Sequence, residues 1–289
     1  MERPVERLRA IAAIRFARRA VVIMVDADAL SSDDLAVSAS EDDLVVRATI
    51  DRPAQRNALN DGAIEGLLEV LEAADEGRTR VVVIRGAEGT VCSGGDLSEF
   101  PIGQGTQAYR ENFGALSGLI DRIQATSALT VAAVEGHCLA GGLGLATACE
   151  FVLTSADAEF GTPEVGVGLF PAQAMAPITR AASEKAALKL LFTGEHVDAD
   201  RAHEMGLVTD VVEPDAFDEE LEALVDTLAA NSPVLIEMGK EAYYEQRDMD
   251  FGAALAYLKE MIAMIAMSED TEEGIDAFLT DREPEWRGR

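Results

Sequence analysis

Short blocks of apolar residues recur from residue 35 onward, separated by polar or glycine-rich turns. Residues 35–40 and 44–50 alternate between apolar and polar positions on either side of the acidic turn Glu41-Asp42-Asp43, so together they predict a β-hairpin. Residues 80–85 and 129–134 are rich in valine and almost continuously apolar, a pattern that predicts buried strands.

Segments with helical spacing lie between these blocks. Asn60 or Asp61 can cap a helix over residues 62–74, whose large apolar side chains share one face. The other predicted elements of this part are a helix over residues 109–123, a helix over 143–149 and a strand over 151–154. Strands and helices therefore alternate, which indicates an α/β layered fold.

The pattern changes after residue 212, where only helical segments follow. They cover residues 216–230, 233–246, 251–267 and 272–279. The third segment is rich in methionine, and we expect it to pack in the core, although an apolar helix at the end of a chain can also form a subunit interface. We therefore divide the chain into a core at residues 34–213 and a C-terminal helical region at residues 214–289.

Residues 1–33 are expected to be an N-terminal extension. The first twenty of them hold six arginines against two glutamates, a net charge of +4 in an otherwise acidic chain. The apolar run at residues 21–25 is too short to span a bilayer, and aspartates follow it where a signal peptide would have small residues. Two interpretations stay open: a basic helix of unknown use, or an upstream stretch included by a misplaced start before Met24, which we favour.

The net charge excludes several classes of partner. The chain carries 24 Lys and Arg against 53 Asp and Glu, a net charge of −29. Nucleic acids and anionic membranes are bound by clustered basic side chains, so we expect neither partner. A hydrophobic fraction of 48% is ample for a packed core, so the acidity does not indicate a disordered chain.

The acidic residues are spread along the chain, and only four lysines are present. Such a surplus keeps the whole surface hydrated in concentrated salt, where the repulsion between like charges is screened. We therefore hypothesise a salt-loving host, with an ordinary acidic enzyme as the alternative. Unfolding measured from low to multimolar KCl tests this hypothesis, and full stability without salt would contradict it.

Cysteine and histidine are sparse. Cys92, Cys138 and Cys149 form no Cys-x-x-Cys pair, and the three histidines form no His-Glu-x-x-His motif. The cysteine usage indicates a reducing, cytoplasmic setting. The spacing gives no sign of a zinc site, so we expect no metal.

Two glycine-rich segments are the first candidates for chemistry. Gly94 and Gly95 follow a predicted strand, where adjacent glycines allow a sharp turn and the close approach of a ligand, although a tight structural turn explains them as well. Gly141 lies close to a predicted helix start, where backbone N–H groups are unsatisfied and the helix dipole is positive. Together the N–H groups of Gly95 and Gly141 can form an oxyanion hole for an enolate. Neither segment is a P-loop or a dinucleotide-binding fingerprint.

Glu164 is the third candidate. It is flanked in sequence by apolar and small residues, and burial would raise the pKa of its carboxyl toward the range useful for proton transfer. The alternative is a solvated loop glutamate.

These segments also match one known family in order and spacing. The matching motifs are Asp51-Arg52-Pro53, Arg56-Asn57-Ala58-Leu59-Asn60, Cys92-Ser93-Gly94-Gly95-Asp96-Leu97, Ala140-Gly141-Gly142, Phe160-Gly161-Thr162-Pro163-Glu164, Leu191-Phe192-Thr193-Gly194, Ala202-His203-Glu204-Met205-Gly206-Leu207-Val208 and Glu273-Gly274 with Ala277-Phe278-Leu279. In these motifs the chain resembles the enoyl-CoA hydratase/isomerase (crotonase) family from residue 35 to its end. The resemblance implies an α/β fold, a crotonase-like spiral of ββα units, with a C-terminal helical trimerisation region whose trimers often pair into hexamers.

The resemblance also implies a substrate and a set of site residues. The substrate is an acyl-CoA thioester, and no resident cofactor is expected because coenzyme A enters as part of the substrate. By position, Gly95 and Gly141 match the two N–H donors that hold the thioester oxygen, and Glu164 matches a catalytic acid/base. The substrate-binding residues that it implies are Arg56, Ala58, Asp96, Leu97, Gly142, Pro163 and Phe170.

Gly144 departs from the family pattern. Enoyl-CoA hydratases resemble each other in carrying one glutamate at that position and a second at the position of Glu164, and two carboxylates suit the addition of water. One carboxylate that faces an oxyanion hole can still shift a double bond, so isomerisation of an enoyl-CoA is slightly favoured over hydration. Glu111 or Asp121 on the preceding helix could supply another acid.

Other functions stay open at this point. The resemblance also allows another CoA-ester reaction, such as hydrolysis or decarboxylation, because one fold hosts many reactions. A catalytically inactive CoA-ester-binding protein is the third alternative. Glu150, at the end of a predicted helix, is expected to make a structural hydrogen bond.

Overall fold

The structure, a computed structural model, describes residues 24–289. The arginine-rich start of the expected extension lies outside these residues, so both interpretations of it stay predictions. Val25 precedes a short helix, α1 (Ala27–Leu30), and packs with Leu30 against the main hydrophobic core. The divisions at residues 34 and 214 also stay predictions.

Six strands form the central sheet of the fold. They are β1 (Leu35–Ala39), β2 (Val45–Ile50), β3 (Val81–Gly86), β4 (Leu129–Val134), β6 (Phe151–Ser155) and β9 (Asp210–Val212), and they lie side by side in that order. The first two pair antiparallel around the acidic turn, as the hairpin pattern predicts, and the remaining neighbours pair parallel. The three strands predicted further along this part of the chain are confirmed.

The central strands are apolar at almost every position because both faces of the sheet are covered. Successive side chains of a strand point to opposite faces. Along β3, Val82 and Ile84 therefore join one core cluster, whereas Val81 and Val83 join a second cluster on the other face. The apolar run that predicted a buried strand is explained by this double burial.

A second sheet of three short strands accompanies the first. Its strands are β5 (His137–Leu139), β7 (Glu159–Gly161) and β8 (His196–Asp198). Isolated bridges join Leu59 to Gly95 and Cys92 to Cys138, so the segments that follow β2 and β3 extend this second layer. β2 and β3 belong to the large sheet, and the segments that follow them lie in the second layer. This passage from one sheet to the other is the repeat of a ββα spiral. The sequence pattern missed the short strands because three residues are too few to show an alternation.

Helices cover the sheets and then continue alone. α2 (Asp61–Glu76) begins after Asn60, whose side chain accepts a hydrogen bond from the N–H of Ala63 at 2.9 Å. The other helices are α3 (Thr106–Ala125), α4 (Gly141–Ala148), α5 (Met175–Ala181), α6 (Glu184–Thr193), α7 (Ala199–Met205), α8 (Phe217–Ala229), α9 (Pro233–Gln246), α10 (Phe251–Ile265) and α11 (Glu269–Leu279). Every predicted helix is present within a few residues of its predicted bounds, and α5, α6 and α7 were missed.

The C-terminal helices turn an apolar side outward. In α10 only Ala254 and Met261 are buried, while Ile262 is 60% exposed and Met267, just beyond the helix, is 77% exposed. The prediction that this methionine-rich stretch packs in the core is therefore wrong for most of its residues. Within residues 24–289 no individual helix is long and apolar enough to cross a bilayer; α10 and α11 meet that test of length and composition only as a pair, bent by 70°.

Candidate active site

The turn after β3 presents a backbone N–H to a cavity. Gly94 has a φ of +110°, and a Cβ at this residue would lie 2.6 Å from the Cβ of Ala140, so glycine is needed here. Leu59 donates its N–H to the carbonyl of Gly94 at 2.8 Å, and Asp96 donates its N–H to the carbonyl of Leu59 at 2.8 Å. These two hydrogen bonds hold Gly95 in place from both sides.

A second backbone N–H lies at the start of α4. Ala140, which precedes the helix, has a φ of +54° and a ψ of −126°, a strained conformation for a residue with a side chain. Its own N–H donates to the carbonyl of Gly161 at 2.8 Å and ties the turn to β7. Gly141 is the first residue of α4, where an N–H has no acceptor within the helix and the dipole is positive.

Gly95 and Gly141 are neighbours in space. A Cβ built on Gly141 would lie 3.7 Å from the nitrogen of Gly95, and both residues line the same cavity. Within residues 24–289, neither of these N–H groups has a hydrogen-bond acceptor. The structure therefore brings together the two donors of the predicted oxyanion hole.

The cavity in front of these donors has a volume of about 260 Å³. Its large apolar side chains come from the region of α2, from the segment after Gly95, from α3 and from the segment after Glu164: Leu59, Ile64, Leu97, Phe100, Phe113, Leu116, Val167, Leu169, Phe170 and Pro171. Gln173 links two of these walls, because its Nε2 donates to Ser117 Oγ at 2.8 Å and to the carbonyl of Phe113. The result is a largely apolar chamber that ends at two unsatisfied N–H groups.

Glu164 supplies a carboxyl group to this chamber. It lies in a short 3₁₀ turn, Pro163–Val167, whose proline fixes the backbone at the first position. Its Oε2 is buried and has no hydrogen-bond partner among the described residues. Burial raises the pKa of this carboxyl above its ordinary value of 4.5. The alternative of a solvated loop glutamate is therefore wrong.

Asp96 lines the same cavity but is engaged within the protein. Its carboxylate accepts hydrogen bonds from the N–H of Ser98 at 2.9 Å and from the hydroxyl of Ser98 at 2.6 Å, and it forms an ion pair with Arg52 at 2.8 Å. The hydrogen bonds of Ser98, together with Arg52, lower the pKa of the Asp96 carboxyl. An ionised carboxylate held in this way stabilises the turn that carries Gly95.

The predicted site residues divide into two groups. Those that line the cavity are Gly95, Asp96, Leu97, Gly141, Pro163, Glu164 and Phe170. Arg56, Ala58 and Gly142 do not line it. Gly142 packs against Cys92, whose Cβ would lie 2.6 Å from a Cβ at position 142, and Ala58 is buried. Arg56 is exposed, and its carbonyl accepts the N–H of Ser93, a cavity residue, at 3.1 Å, so a contact between Arg56 and coenzyme A stays a prediction.

The space beside Gly144 is filled by another part of the chain. A Cβ at this position would lie 2.8 Å from both the Cα and the Cβ of Ala174, a separation that real Cβ atoms do not reach. Gly144 is buried within α4, so no side chain fits here unless the backbone moves. The absence of a side chain at Gly144 is therefore matched by close packing between α4 and the segment that leads into α5.

Gly144→Ala is expected to lower the free energy of unfolding by about 1–3 kcal/mol, because the new methyl group meets backbone atoms of Ala174 in a packed interior. Gly118→Ala is the matched control, since Gly118 lies within α3 and a Cβ added there would have no atom within 4 Å of it. That control is expected to be neutral or to stabilise the protein by up to about 1 kcal/mol through helix propensity. Urea unfolding of both variants measures the difference, and equal stabilities would contradict the packing argument.

Sequence reasoning missed two acids of this cavity. Asp61 is the first residue of α2, and Glu99 ends a 3₁₀ turn that begins at Leu97; both line the cavity. Their positions directly beside matched motifs were the available signal. Glu111 and Asp121 do not line the cavity, and Glu111 instead accepts a hydrogen bond from Gln107 at 2.8 Å. Neither therefore supplies the second acid that the sequence left open.

The cysteines lie outside this chemistry. All three are free and buried, and burial raises the pKa of the Cys92 thiol to about 11 and that of the Cys149 thiol to about 12. Buried neutral thiols of this kind are poor nucleophiles. Within residues 24–289, no group of three or more His, Cys, Asp or Glu side chains is arranged to hold a metal ion.

The architecture is that of the crotonase fold. The crystal structure of an enoyl-CoA hydratase from Mycobacterium smegmatis is similar to this chain with a TM-score of 0.85 and 33% sequence identity, and the match covers 88% of this chain and 99% of that one. A mixed α/β body with a helical C-terminal region is common to the class. The expected crotonase-like fold is therefore confirmed.

Sequence comparison defines the family. The family model described as Enoyl-CoA hydratase/isomerase matches residues 40–289. The 2,3-dehydroadipyl-CoA hydratase of Escherichia coli (strain K12) is 33% identical over 251 residues, which are 85% of this chain and 96% of that relative. The short-chain-enoyl-CoA hydratase of Clostridium acetobutylicum is 30% identical over 245 residues, 83% of this chain and 93% of that relative. The chain belongs to the enoyl-CoA hydratase/isomerase family and is an enzyme of that family.

Proposed function

We propose that this protein shifts the double bond of an enoyl-CoA thioester. One observation carries the proposal. Glu164, a half-buried acid without an ion-pair partner among the described residues, shares a cavity with the two free N–H donors, while Ala174 occupies the space that a Cβ at Gly144 would need. This set of groups meets the needs of a proton shuttle along an acyl chain.

The reaction uses these groups in two proton transfers. With a 3-enoyl-CoA bound, the ionised carboxylate of Glu164 removes a proton from C2, and negative charge moves to the thioester oxygen as a dienolate forms. Gly95 and Gly141 donate their N–H groups to that oxygen, and each donor contributes about 3 kcal/mol in a dry site. The protonated Glu164 then delivers the proton to C4, which yields the 2-enoyl-CoA and restores the carboxylate.

The surroundings of Glu164 suit this role. Burial raises the pKa of the carboxyl, and a carboxylate with a raised pKa is a stronger base at a pH where it is ionised. Its Oε2 is buried and has no hydrogen-bond partner among the described residues, so no other protein group holds the carboxyl in its ionised form through that oxygen. Water addition would in addition need a second acid beside the reacting carbons. The carboxylate of Asp96 is already held by Arg52 and Ser98. The other two acids of the cavity, Asp61 and Glu99, are exposed to solvent.

Two parallel reactions test the proposal. Purified protein is given a 3-enoyl-CoA in one reaction and a 2-enoyl-CoA in the other, both in high salt. We expect the 3-enoyl ester to be converted to its conjugated 2-enoyl isomer, which absorbs in the ultraviolet, and the 2-enoyl ester to gain water slowly or not at all. Fast hydration of the 2-enoyl ester would overturn the preference for isomerisation.

Hydration is the second candidate, because the similar proteins are named as hydratases. The same two reactions decide between the candidates. Another CoA-ester reaction, such as hydrolysis or decarboxylation, would be recognised by product identification across a panel of CoA esters. Tight binding of these esters without turnover of any would indicate a CoA-ester-binding protein that has lost activity.

The setting of the reaction is also a proposal. The outward apolar side of α10 and the exposed Phe278 and Leu279 of α11 support a homotrimer or hexamer, in which another subunit covers these residues. Free, buried cysteines support a cytoplasmic location, and the distributed acidity supports work in concentrated salt. Coenzyme A arrives with the substrate, so the proposed reaction draws on no resident cofactor.

A further inference from the structure

The charges around the acyl cavity are all of one sign. Of the described residues, no lysine, arginine or histidine lines the cavity, whereas four acids do: Asp61, Asp96, Glu99 and Glu164. The other lining residues are mainly apolar, and the polar ones are neutral. A negatively charged group inside this cavity would therefore meet no cation.

Two of the four acids are balanced or reserved for chemistry. Asp96 is paired at 2.8 Å with Arg52, whose guanidinium also pairs with Asp34 at 2.9 Å, so the charge of Asp96 is partly neutralised. Glu164 is half-buried, with Oε2 unpartnered, and it is the proton shuttle of the proposed reaction. When it is ionised, Glu164 adds one negative charge to the cavity, and the remaining two acids add to that charge.

Asp61 and Glu99 are, apart from Glu164, the acids of this cavity without a neutralising partner. Neither forms an ion pair or a side-chain hydrogen bond with any residue of the described chain, and both are exposed. They come from separate elements, the start of α2 and the 3₁₀ turn after Gly95. Their charges therefore act on the cavity from two of its walls and are opposed by nothing within it.

The apolar lining leaves a charged acyl end without solvation. Phe100 packs edge-on against Phe113 with ring centroids 5.6 Å apart, and Leu116 and Phe170 add further apolar surface. A carboxylate at the end of an acyl chain would lose water against these side chains, at a cost that no hydrogen bond to a cation offsets. It would also be repelled by Asp61 and Glu99, whose exposed carboxylates line two walls of the same cavity.

We propose that Asp61 and Glu99 make this cavity select acyl groups without charge and reject acyl groups that end in a carboxylate. The inference rests on the proposed function in so far as the substrate is a CoA ester. It does not depend on which reaction follows, because the discrimination is one of binding.

The test compares two unreactive ligands of equal chain length. Hexanoyl-CoA and hexanedioyl-CoA differ in a terminal carboxylate and lack the double bond on which an isomerase or a hydratase acts. Their dissociation constants are measured by calorimetry with the full chain, at the lowest KCl concentration at which it stays folded. We expect hexanoyl-CoA to bind at least about tenfold more tightly, because the terminal carboxylate of the other ester loses water against apolar side chains and is repelled by two carboxylates.

Three variants locate the source of the selectivity. Asp61→Asn combined with Glu99→Gln is expected to reduce the ratio of the two dissociation constants by about threefold or more, and Glu99→Lys to reduce it further, since like-charge repulsion is removed or reversed. Glu65→Gln, an exposed acid of α2 that does not line the cavity, is expected to leave the ratio unchanged.

Equal affinities of the original protein for the two esters would overturn the proposal, and so would an unchanged ratio in the double variant. Selective binding of hexanoyl-CoA, together with no isomerisation of a 3-enoyl-CoA in the separate activity assay, would overturn only the proposed reaction. Binding of neither ester would overturn both.

Discussion

Glu164→Gln is expected to lower kcat/KM for isomerisation of a 3-enoyl-CoA by about a thousandfold. Glutamine keeps the shape of the side chain but cannot accept the proton from C2, while Gly95 and Gly141 still hold the thioester oxygen. Substrate binding should change little, so the loss falls on kcat. Steady-state kinetics measure it, and full activity in the variant would remove Glu164 from the mechanism.

The pH profile of the original enzyme gives a second readout of the same group. Burial raises the pKa of Glu164 above 4.5, so kcat/KM is expected to rise with pH through a midpoint above that value as the carboxylate forms. Glu111→Gln is the control, since Glu111 is exposed on α3 and outside the cavity. That variant should keep both the activity and the profile of the original enzyme.

Glu164→Gln is expected to leave the protein at least as stable as the original protein at neutral pH. A carboxyl whose pKa is raised on folding binds its proton more tightly in the folded chain than in the unfolded chain. Its contribution to stability is full below the unfolded value near 4.5 and is lost as the pH rises through the raised value. Glutamine stays neutral throughout, so the Tm of the variant relative to the original protein should increase from pH 4 to pH 7. A relative Tm that falls over that range would contradict the burial argument.

Lys240→Met is expected to lower the free energy of unfolding by about 3–5 kcal/mol, the largest effect on stability that we predict. Lys240 is buried in α9, and its Nζ donates to the carbonyls of Ile123 and Ala128 at 2.8 and 2.9 Å and to Glu150 at 3.0 Å. Removal of the ammonium group leaves Glu150 and two carbonyls buried without their cation. The carboxylate of Glu150 would retain only its neutral donors.

Glu150 explains why this pair matters to the fold. Besides Lys240, it accepts hydrogen bonds from the N–H of Thr130 at 2.8 Å and from the hydroxyl of Tyr244 at 2.7 Å. These contacts join the end of α4, strand β4 and helix α9, so one carboxylate connects the spiral to the C-terminal helices. The expectation that Glu150 makes a structural hydrogen bond is confirmed.

Urea unfolding at fixed protein and salt concentration measures the effect of Lys240→Met. The double variant Lys240→Met with Glu150→Gln should recover part of the loss, because it leaves no uncompensated buried charge. Lys259→Met is the matched control: Lys259 pairs with Glu260 on the surface, where removal of an ion pair changes stability by about 1 kcal/mol or less. A loss of under about 1 kcal/mol in Lys240→Met would show that the buried pair does not join the two regions.

The local pattern of apolar residues was sufficient to predict the strands and helices that are long enough to show a full repeat of that pattern. The double-sided strand β3 and the capped helix α2 each carry enough residues for their apolar spacing to be read. Glycine was equally informative at Gly94, because its positive φ and its contact with Ala140 both exclude a side chain. The glycine-rich segments and the family resemblance together pointed to Gly95 and Gly141 as the N–H donors, and that role stays a prediction.

Contacts between distant segments carried no such signal. Ala174 fills the space beside Gly144, and the sequence of neither segment indicates that the two will be in contact. The apolar pattern of α10 showed that one face of the helix would be covered, but a single chain leaves that face in solvent. Periodicity states which face is apolar and not what lies against it.

The family resemblance was needed to select Glu164, which lines the same cavity as Gly95 and Gly141. The amino-acid order alone indicated the α/β class and the glycine turns that carry Gly95 and Gly141. It did so because turns, caps and alternating strands depend on neighbours within a few residues. Three features were decided only by the tertiary structure. Ala174 fills the space beside Gly144, Lys240 forms a buried link with Glu150, and the unpaired charges of Asp61 and Glu99 lie at the cavity. These features arise where segments that are far apart in the chain come into contact, and only the packing of the folded chain determines those contacts.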